Sequence, residues 1–347
     1  MNIKLIFLFL FFSFLGGFVY GQEQMSKEAV DEKKLYTSLA EALANPQDVV
    51  RLELMNLSEV PSTLKLLTNL RALYLYHNGI FQLPPVLFEM KSLQYLFLDE
   101  NNIESLPAEI GQLKNLEILG LHKNRLKTLP PSIGKLKKLK LLYLSENQIV
   151  SLPSEIGQLE SLTELDLSFN KIDKLPDEIG HLKSIKFLFL AHNKLLNLPP
   201  TIGGLTSLRE LYADENKLVF FPSKDIALIN LISLSLSVNS LKSIPSEMVK
   251  LAKLENLYLS DNKISSLPTS FTDLQSLKVL DLSNNILLSI PDDFGKLENL
   301  KDLNLWGNLF KSIPVSEFEK LKKLQTLGIG DKDVLLPLKI TERMSIY

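Results

Sequence analysis

Aromatic side chains, carboxylates and histidines recur along this 347-residue chain at multiples of 23 positions, so that like chemistry falls into columns. One column runs Arg51, Tyr74, Phe97, Gly120, Tyr143, Asp166, Phe189, Tyr212, Ser235, Tyr258, Asp281 and Asn304. The column two positions earlier carries Tyr95, Glu164, Phe187 and Glu210, and the column two positions later carries Tyr76, Asp99, His122, Asp214 and Trp306. A contiguous aromatic surface marks a place of interaction, because Tyr, Trp and Arg dominate the energy of protein interfaces. The residues assigned to partner contact are therefore Tyr74, Tyr76, Tyr95, Phe97, Tyr143, Phe187, Phe189 and Tyr212 as apolar anchors. Asp99, His122, Asp214 and Trp306 are assigned as polar or rim contacts. The acids Asp99, Glu100, Asp214 and Glu215 at the edge of these columns fit a partner with some positive charge.

Catalysis has no comparable support. The chain holds no phosphate-cradling GxxxxGK[ST], no nucleophile elbow GxSxG and no HExxH. Carboxylate pairs such as Asp292-Asp293, or Glu146 near Glu164, fall on a regular surface that encloses nothing and so has no means of shifting their pKa values. The absence of cysteine excludes disulfides, thiolate zinc sites, iron–sulfur clusters and cysteine nucleophiles. Of the four histidines, His77, His122 and His192 lie on or beside the columns and His181 lies elsewhere. No two have helical or hairpin ligand spacing, so no metal or other cofactor is assigned, although Asp99, Glu100 and His122 could share a pH-sensitive contact. A net charge of −2, from 38 basic and 40 acidic residues, argues against a nucleic-acid coat. The run Lys135, Lys137, Lys138 and Lys140 reads as a solvated face that Glu155 and Glu160 offset.

The elements that position these columns follow from the leucines, 76 in number. Rows of 23 align Leu70 with Leu93 and Leu116, then Leu73 with Leu96 and Leu119, and place asparagine at 78, 101, 124, 147, 170, 193, 216, 239, 262, 285 and 308. Each row reads L-x-x-L-x-L-x-x-N-x-L. The alternating stretch is a short strand with one face buried, and segments such as Leu106-Pro107-Ala108-Glu109-Ile110-Gly111-Gln112-Leu113 make one turn of helix or 3₁₀ after a proline. A row cannot bury its own leucines, but stacked rows bury each other's. The ladder Asn78, Asn101, Asn124, Asn147, Asn170, Asn193, Asn216, Asn239, Asn262, Asn285 and Asn308 turns inward to bond loop backbones. The ends differ, as caps must. Leu35, Tyr36, Leu39 and Leu43 are spaced as a capping helix over 26–44, Met55 stands at the first asparagine position, and the row at Leu324 arrives after 24 residues with Lys332 at its asparagine position.

The repeated row resembles the leucine-rich repeat family from about Pro46 to Pro337. That resemblance implies an α/β solenoid: a right-handed horseshoe with a concave parallel β-sheet, short helices or 3₁₀ turns on the convex side, and an N-terminal helical cap. The expected division is a signal peptide over 1–21, the cap over 22–46, about 12 repeats and a partial one over 47–337, and a tail over 338–347. Met1 to Lys4, the apolar run Leu5 to Phe14 and the small residues before Gln22 have the order of a secretory signal cleaved after Gly21. A retained anchor is the other reading of that run. Export without cysteine favours a bacterial source. Leu39-Ala40-Glu41-Ala42-Leu43-Ala44-Asn45-Pro46 ahead of rows with Leu-Pro-x-x-Ile-Gly-x-Leu looks like exported leucine-rich repeat proteins of leptospiral spirochaetes, which implies binding of host or matrix proteins. The expected function is thus a secreted, surface or periplasmic non-enzymatic module that binds a protein through its concave face. Self-association and an envelope glycan ligand stay open as alternatives. Because Tyr95, Phe97 and Tyr143 point away from the leucines, serine at all three is expected to leave the fold intact.

Overall fold

A computed structural model of the chain describes residues 33–330, except 225 and 313, together with residues 345 and 346. The signal segment 1–21, the cap up to residue 32, Lys332 and Leu336-Pro337 lie outside the described residues. Among the described residues, fifteen strands of two or three residues, from Leu35–Tyr36 to Ser345–Ile346, form one parallel sheet in chain order. From Ala72 to Asp302 the register steps by one row per strand, Leu73 beside Leu96, Leu96 beside Leu119 and Leu119 beside Leu142. The next step is 24 residues, Asp302 beside Thr326, as the late arrival of Leu324 predicts.

The leucines at the centre of each strand from Leu52 to Leu327 interdigitate with the Ile and Leu of the convex turns. The result is a single apolar core that runs unbroken from Tyr36 to Ile329. Most convex turns are five-residue 3₁₀ segments placed directly after a proline, such as Ala108–Gln112 after Pro107 and Ser154–Gln158 after Pro153. Proline fixes the extended entry, and the turn closes when Leu113 donates its backbone N–H to Ile110, at 3.0 Å.

All eleven ladder asparagines make the same set of bonds. The Asn124 side-chain amide donates to Leu98 O at 2.9 Å and Leu121 O at 3.2 Å, while its Oδ1 accepts the Ile103 N–H at 3.0 Å. The residue before each of them holds a left-handed backbone, with φ between 50° and 54° for His77 through Asn284 and 71° at Gly307, and Asn56 in the first row does the same at 59°. Only one of these twelve is glycine. The conformation persists in side-chain-bearing residues because their N–H groups bond the next row, as Val238 does to Ser260 O at 2.9 Å.

Both ends depart from the sequence reading. Of the expected cap helix, only Leu39–Ala44 is helical among the described residues, with Ser38 Oγ accepting the Glu41 N–H. Leu35–Tyr36 is instead a strand paired with Arg51–Leu52, because the first edge of a sheet has bare N–H and C=O groups that a strand satisfies and a helix does not. The first row is two residues short: Arg51 pairs with Ala72 and Glu53 with Tyr74. Arg51 therefore belongs one lane earlier than its spacing suggests, and Glu53 heads the central lane. At the far end Ser345–Ile346 pairs with Thr326–Leu327, so the segment read as a tail adds a strand.

Candidate functional site

The side chains between the leucines form three lanes on the concave side. Adjacent rows lie about 4.8 Å apart, close enough for rings in one lane to stack face to face. Tyr74 and Phe97 do so with centroids 5.2 Å apart, and Phe189 and Tyr212 at 5.6 Å. Tyr74, Phe97 and Tyr143, with Ala72 and Ile118, make a second apolar cluster in which these three rings are only 3%, 6% and 4% exposed. The open aromatic surface expected of the early rows is thus packed against itself. Serine at Tyr95, Phe97 and Tyr143 would strip this cluster, at about 2 kcal/mol per buried ring, rather than leave the fold untouched. Phe189 is likewise buried, whereas Tyr76, Tyr95, Phe187, Tyr212 and Tyr258 are half-buried and Trp306 is exposed.

Between Ala72 and Gly330 the three lanes hold seven carboxylates, Asp99, Glu164, Asp166, Glu210, Asp214, Asp281 and Asp302, and no lysine or arginine. Several serve backbone amides. The sheet ladder, continued from Ile118 N to Gln94 O, would pair His122 N–H with Leu98 O, but Asn101 and Asn124 take that carbonyl. The displaced His122 N–H donates instead to Asp99 Oδ1 at 2.8 Å, and the Ser237 N–H likewise to Asp214 Oδ1 at 3.0 Å. Asp166 and Asp281 accept the N–H groups of Ser168 and Ser283, each at 2.9 Å. These roles are invisible in the columns because they arise only once the ladder has claimed the carbonyls.

Burial raises the carboxyl pKa of Asp99 to about 7, of Glu164 to about 7 with Asp166 adding repulsion, and of Asp214 to about 6. Burial also pushes Asp166, Glu210 and Asp281 upward. A carboxyl whose pKa is higher folded than unfolded takes up a proton on folding between the two values, so stability is highest on the acid side and falls as pH rises through 6 to 7. Urea unfolding should therefore show a more stable protein at pH 5 than at pH 7.5. Asp214→Asn should flatten that difference by on the order of 1 kcal/mol, well below a full pKa conversion because neighbours relax. An unchanged pH profile in the variant would refute the assignment.

His122 Nδ1 lies 2.9 Å from Ser145 Oγ, whose hydroxyl also bonds the Asp166 carboxylate. The serine stands between acid and imidazole rather than at the end of the relay, so the arrangement is a polar strut and not an activated nucleophile. His77 pairs with Glu100 at 3.2 Å and His192 with Glu215 at 2.9 Å along the rim, while His181 ends a convex turn. Burial lowers the His192 pKa, and Glu215 opposes the shift. Among the described residues no three His, Asp or Glu side chains converge on a point where a metal would sit. Lys137 pairs with Glu160 at 3.1 Å in the outer connections, and Lys140 with Glu117 at 2.7 Å just ahead of their strands, which answers the charge of the lysine run.

A family model described as leucine-rich repeat region matches residues 87–170 and 223–335, and a second leucine rich repeat model matches residues 160–218. Among solved structures, a leucine-rich repeat protein of Leptospira interrogans is 34% identical, with 91% of this chain and 100% of that chain covered and a TM-score of 0.53. A chain from the PEPR1–AtPEP1 crystal structure is 31% identical over 85% of this chain and 43% of that chain, with a TM-score of 0.73. An internalin of Listeria monocytogenes, 24% identical over 82% of this chain and 81% of that chain, shares the fold with a TM-score of 0.68. No curated protein matches. No helix among the described residues is long and apolar enough to cross a membrane.

Proposed function

The chain belongs to the leucine-rich repeat family, whose folds commonly serve as protein-binding modules, and from that premise we propose that it is an exported, non-catalytic module that captures a protein partner on its concave sheet. The observation that carries this reading is the composition of the lanes: half-buried Tyr76, Tyr95, Phe187, Tyr212 and Tyr258 and exposed Trp306 stand among seven carboxylates with no basic side chain to satisfy them. Aromatic anchors bury large apolar area on association, and uncompensated acids select a basic counterpart. Export rests on the leader-like order of residues 1–21 and on the similarity to the Leptospira interrogans protein, and it places host cell-surface or matrix proteins within reach.

The test is saturable binding of the protein from Gln22 onward to intact host cells and to extracellular-matrix components. The variant Phe187→Ser, Tyr212→Ser, Trp306→Ser removes rings that the early-row cluster does not use. Binding should weaken at least tenfold in the variant, as expected when three interface anchors are lost. Equal binding by a folded variant would remove the function from this face.

A further inference from the structure

The concave face repeats at a second, longer interval. A shift of five rows of 23, or 115 positions, carries the stacked pair Tyr74 and Phe97 onto the stacked pair Phe189 and Tyr212. It carries Asp166, which accepts the Ser168 N–H, onto Asp281, which accepts the Ser283 N–H, and the rim pair His77–Glu100 onto His192–Glu215. Between these markers the same shift takes Asp99 to Asp214, Gly120 to Ser235 and Tyr143 to Tyr258.

Each half therefore contains one notch. The central lane drops to a small residue, Gly120 between Phe97 and Tyr143 and Ser235 between Tyr212 and Tyr258, and an aspartate from the neighbouring lane fills its floor. A Cβ at Gly120 would run into the Asp99 carboxylate, whose Cγ lies 2.9 Å from that point, and Ser235 Oγ donates to Asp214 Oδ1. Asp214 is 4% exposed and its Oδ2 has no hydrogen-bond partner. A buried carboxylate oxygen with no donor, set between two aromatic walls and far from any lysine or arginine of its own lanes, suits an incoming ammonium or guanidinium group. The cation meets a carboxyl group below and aromatic side chains on either side.

Resting on the concave-face reading above, we propose that the notches Asp99–Gly120 and Asp214–Ser235 are two equivalent cation-accepting sites, which together take an extended basic segment of the partner with two Lys or Arg side chains about eight residues apart. The spacing follows from geometry. Five rows at about 4.8 Å separate the notches by roughly 24 Å, an extended chain rises about 3.3 Å per residue, and only an even separation turns both side chains to the same face.

The amides of His122 and Ser237 donate to the two aspartates and so report on each notch separately in ¹H–¹⁵N spectra of the whole chain. The probe is a capped, otherwise uncharged peptide with two arginines eight residues apart. Single-arginine, double-lysine and double-citrulline versions accompany it. The double-arginine and double-lysine peptides should shift both amides and bind at least tenfold tighter than the single-arginine peptide, because the second contact is intramolecular. Asp99→Asn should abolish only the His122 response and Asp214→Asn only that of Ser237, since asparagine keeps the oxygen that holds each amide. Silent amides at millimolar peptide, or equal shifts with citrulline, would overturn the proposal. Cell or matrix binding that the aromatic serine variant loses and the double Asp→Asn variant keeps would retain the concave face and reject the notches. Binding that survives both sets of changes would reject the face itself.

Discussion

Asn147→Ala should lower the unfolding free energy by about 3 kcal/mol in urea titration, more than the removal of a single side-chain hydrogen bond elsewhere in the chain. The Asn147 amide is 8% exposed and donates to Leu121 O at 2.8 Å, Leu144 O at 3.0 Å and Ser145 O at 3.2 Å, while its Oδ1 accepts the Leu126 N–H at 2.9 Å. These losses are not equal. Leu121 O keeps a donor in Asn124 and Leu144 O keeps one in Asn170, so both carbonyls remain half satisfied. Leu126 N–H has Asn147 as its acceptor and loses it outright. A buried donor without a partner costs about 1–3 kcal/mol, and the lost amide bonds with the small void supply the remainder. Asn147→Asp separates the parts. It keeps an acceptor for Leu126 but turns two carboxylate oxygens toward backbone carbonyls, so at pH 7 it should be worse than alanine. Relative to the parent chain it should recover on acidification as the carboxyl gains a proton. Stability within 1 kcal/mol of the parent for the alanine variant would show that the ladder amide is decorative.

The strict period made the ladder readable. Eleven asparagines in one column, each three residues after an L-x-L pair except Asn216, where Ala213 replaces the second leucine, leave one physical use for an amide at the point where strand turns into loop. The first row escaped that logic because two registers alternate equally well: Val50 with Leu52, and Leu52 with Leu54. The fold takes the second, which buries Leu52 and Leu54 and sets Glu53 where Tyr76 donates its hydroxyl at 2.5 Å. The helical spacing of Leu35, Tyr36, Leu39 and Leu43 likewise conveyed an apolar face but not the demand of a sheet edge for a strand.

Lane membership from Ala72 onward was also legible, whereas exposure within the lanes was not. Alternation says only that Tyr74, Phe97 and Tyr143 leave the leucine core. Whether a ring then meets solvent depends on its lateral neighbours in rows 23 residues away, and in the early rows those neighbours are Ala72, Ile118 and other rings. Past Tyr143 the lanes turn to Glu164, Asp166 and Glu210, and the rings of Phe187, Tyr212 and Tyr258 stay half open. The acids were readable as polar contacts. Their prior duty to backbone amides was not, and it explains why Asp99 and Asp214 sit low in the surface rather than project from it.

Gly157→Val should cost about 3 kcal/mol or more, although the position lies on the convex side, far from every lane. The Ile-Gly pair recurs at Gly111, Gly134, Gly157 and Gly180, and none of these holds a left-handed backbone. Glycine is required there by approach rather than by φ. A Cβ at Gly157 would strike the carbonyl oxygen of Glu178 in the next turn, with the Glu178 carbonyl carbon and Cβ each at 2.9 Å. At Gly134 the Glu155 oxygen would lie at 2.5 Å, and at Gly111 the Ser132 oxygen at 2.7 Å. The obstacle is backbone, so no rotamer relieves it and the turns must separate, which pulls Ile156 and Ile179 out of register with the leucines beneath them. Gly157→Ala should already cost about 2 kcal/mol. Gly204→Ala is the matched control, since its Cβ would meet the flexible Lys183 Nζ at 3.1 Å, and it should stay within about 0.5 kcal/mol of the parent. If both alanine variants unfold with the parent, row-to-row approach is not what selects glycine. If only Gly157→Ala falls, the drift to Ala227, Val249 and Thr272 in later rows marks where the convex turns have moved apart far enough to hold a side chain.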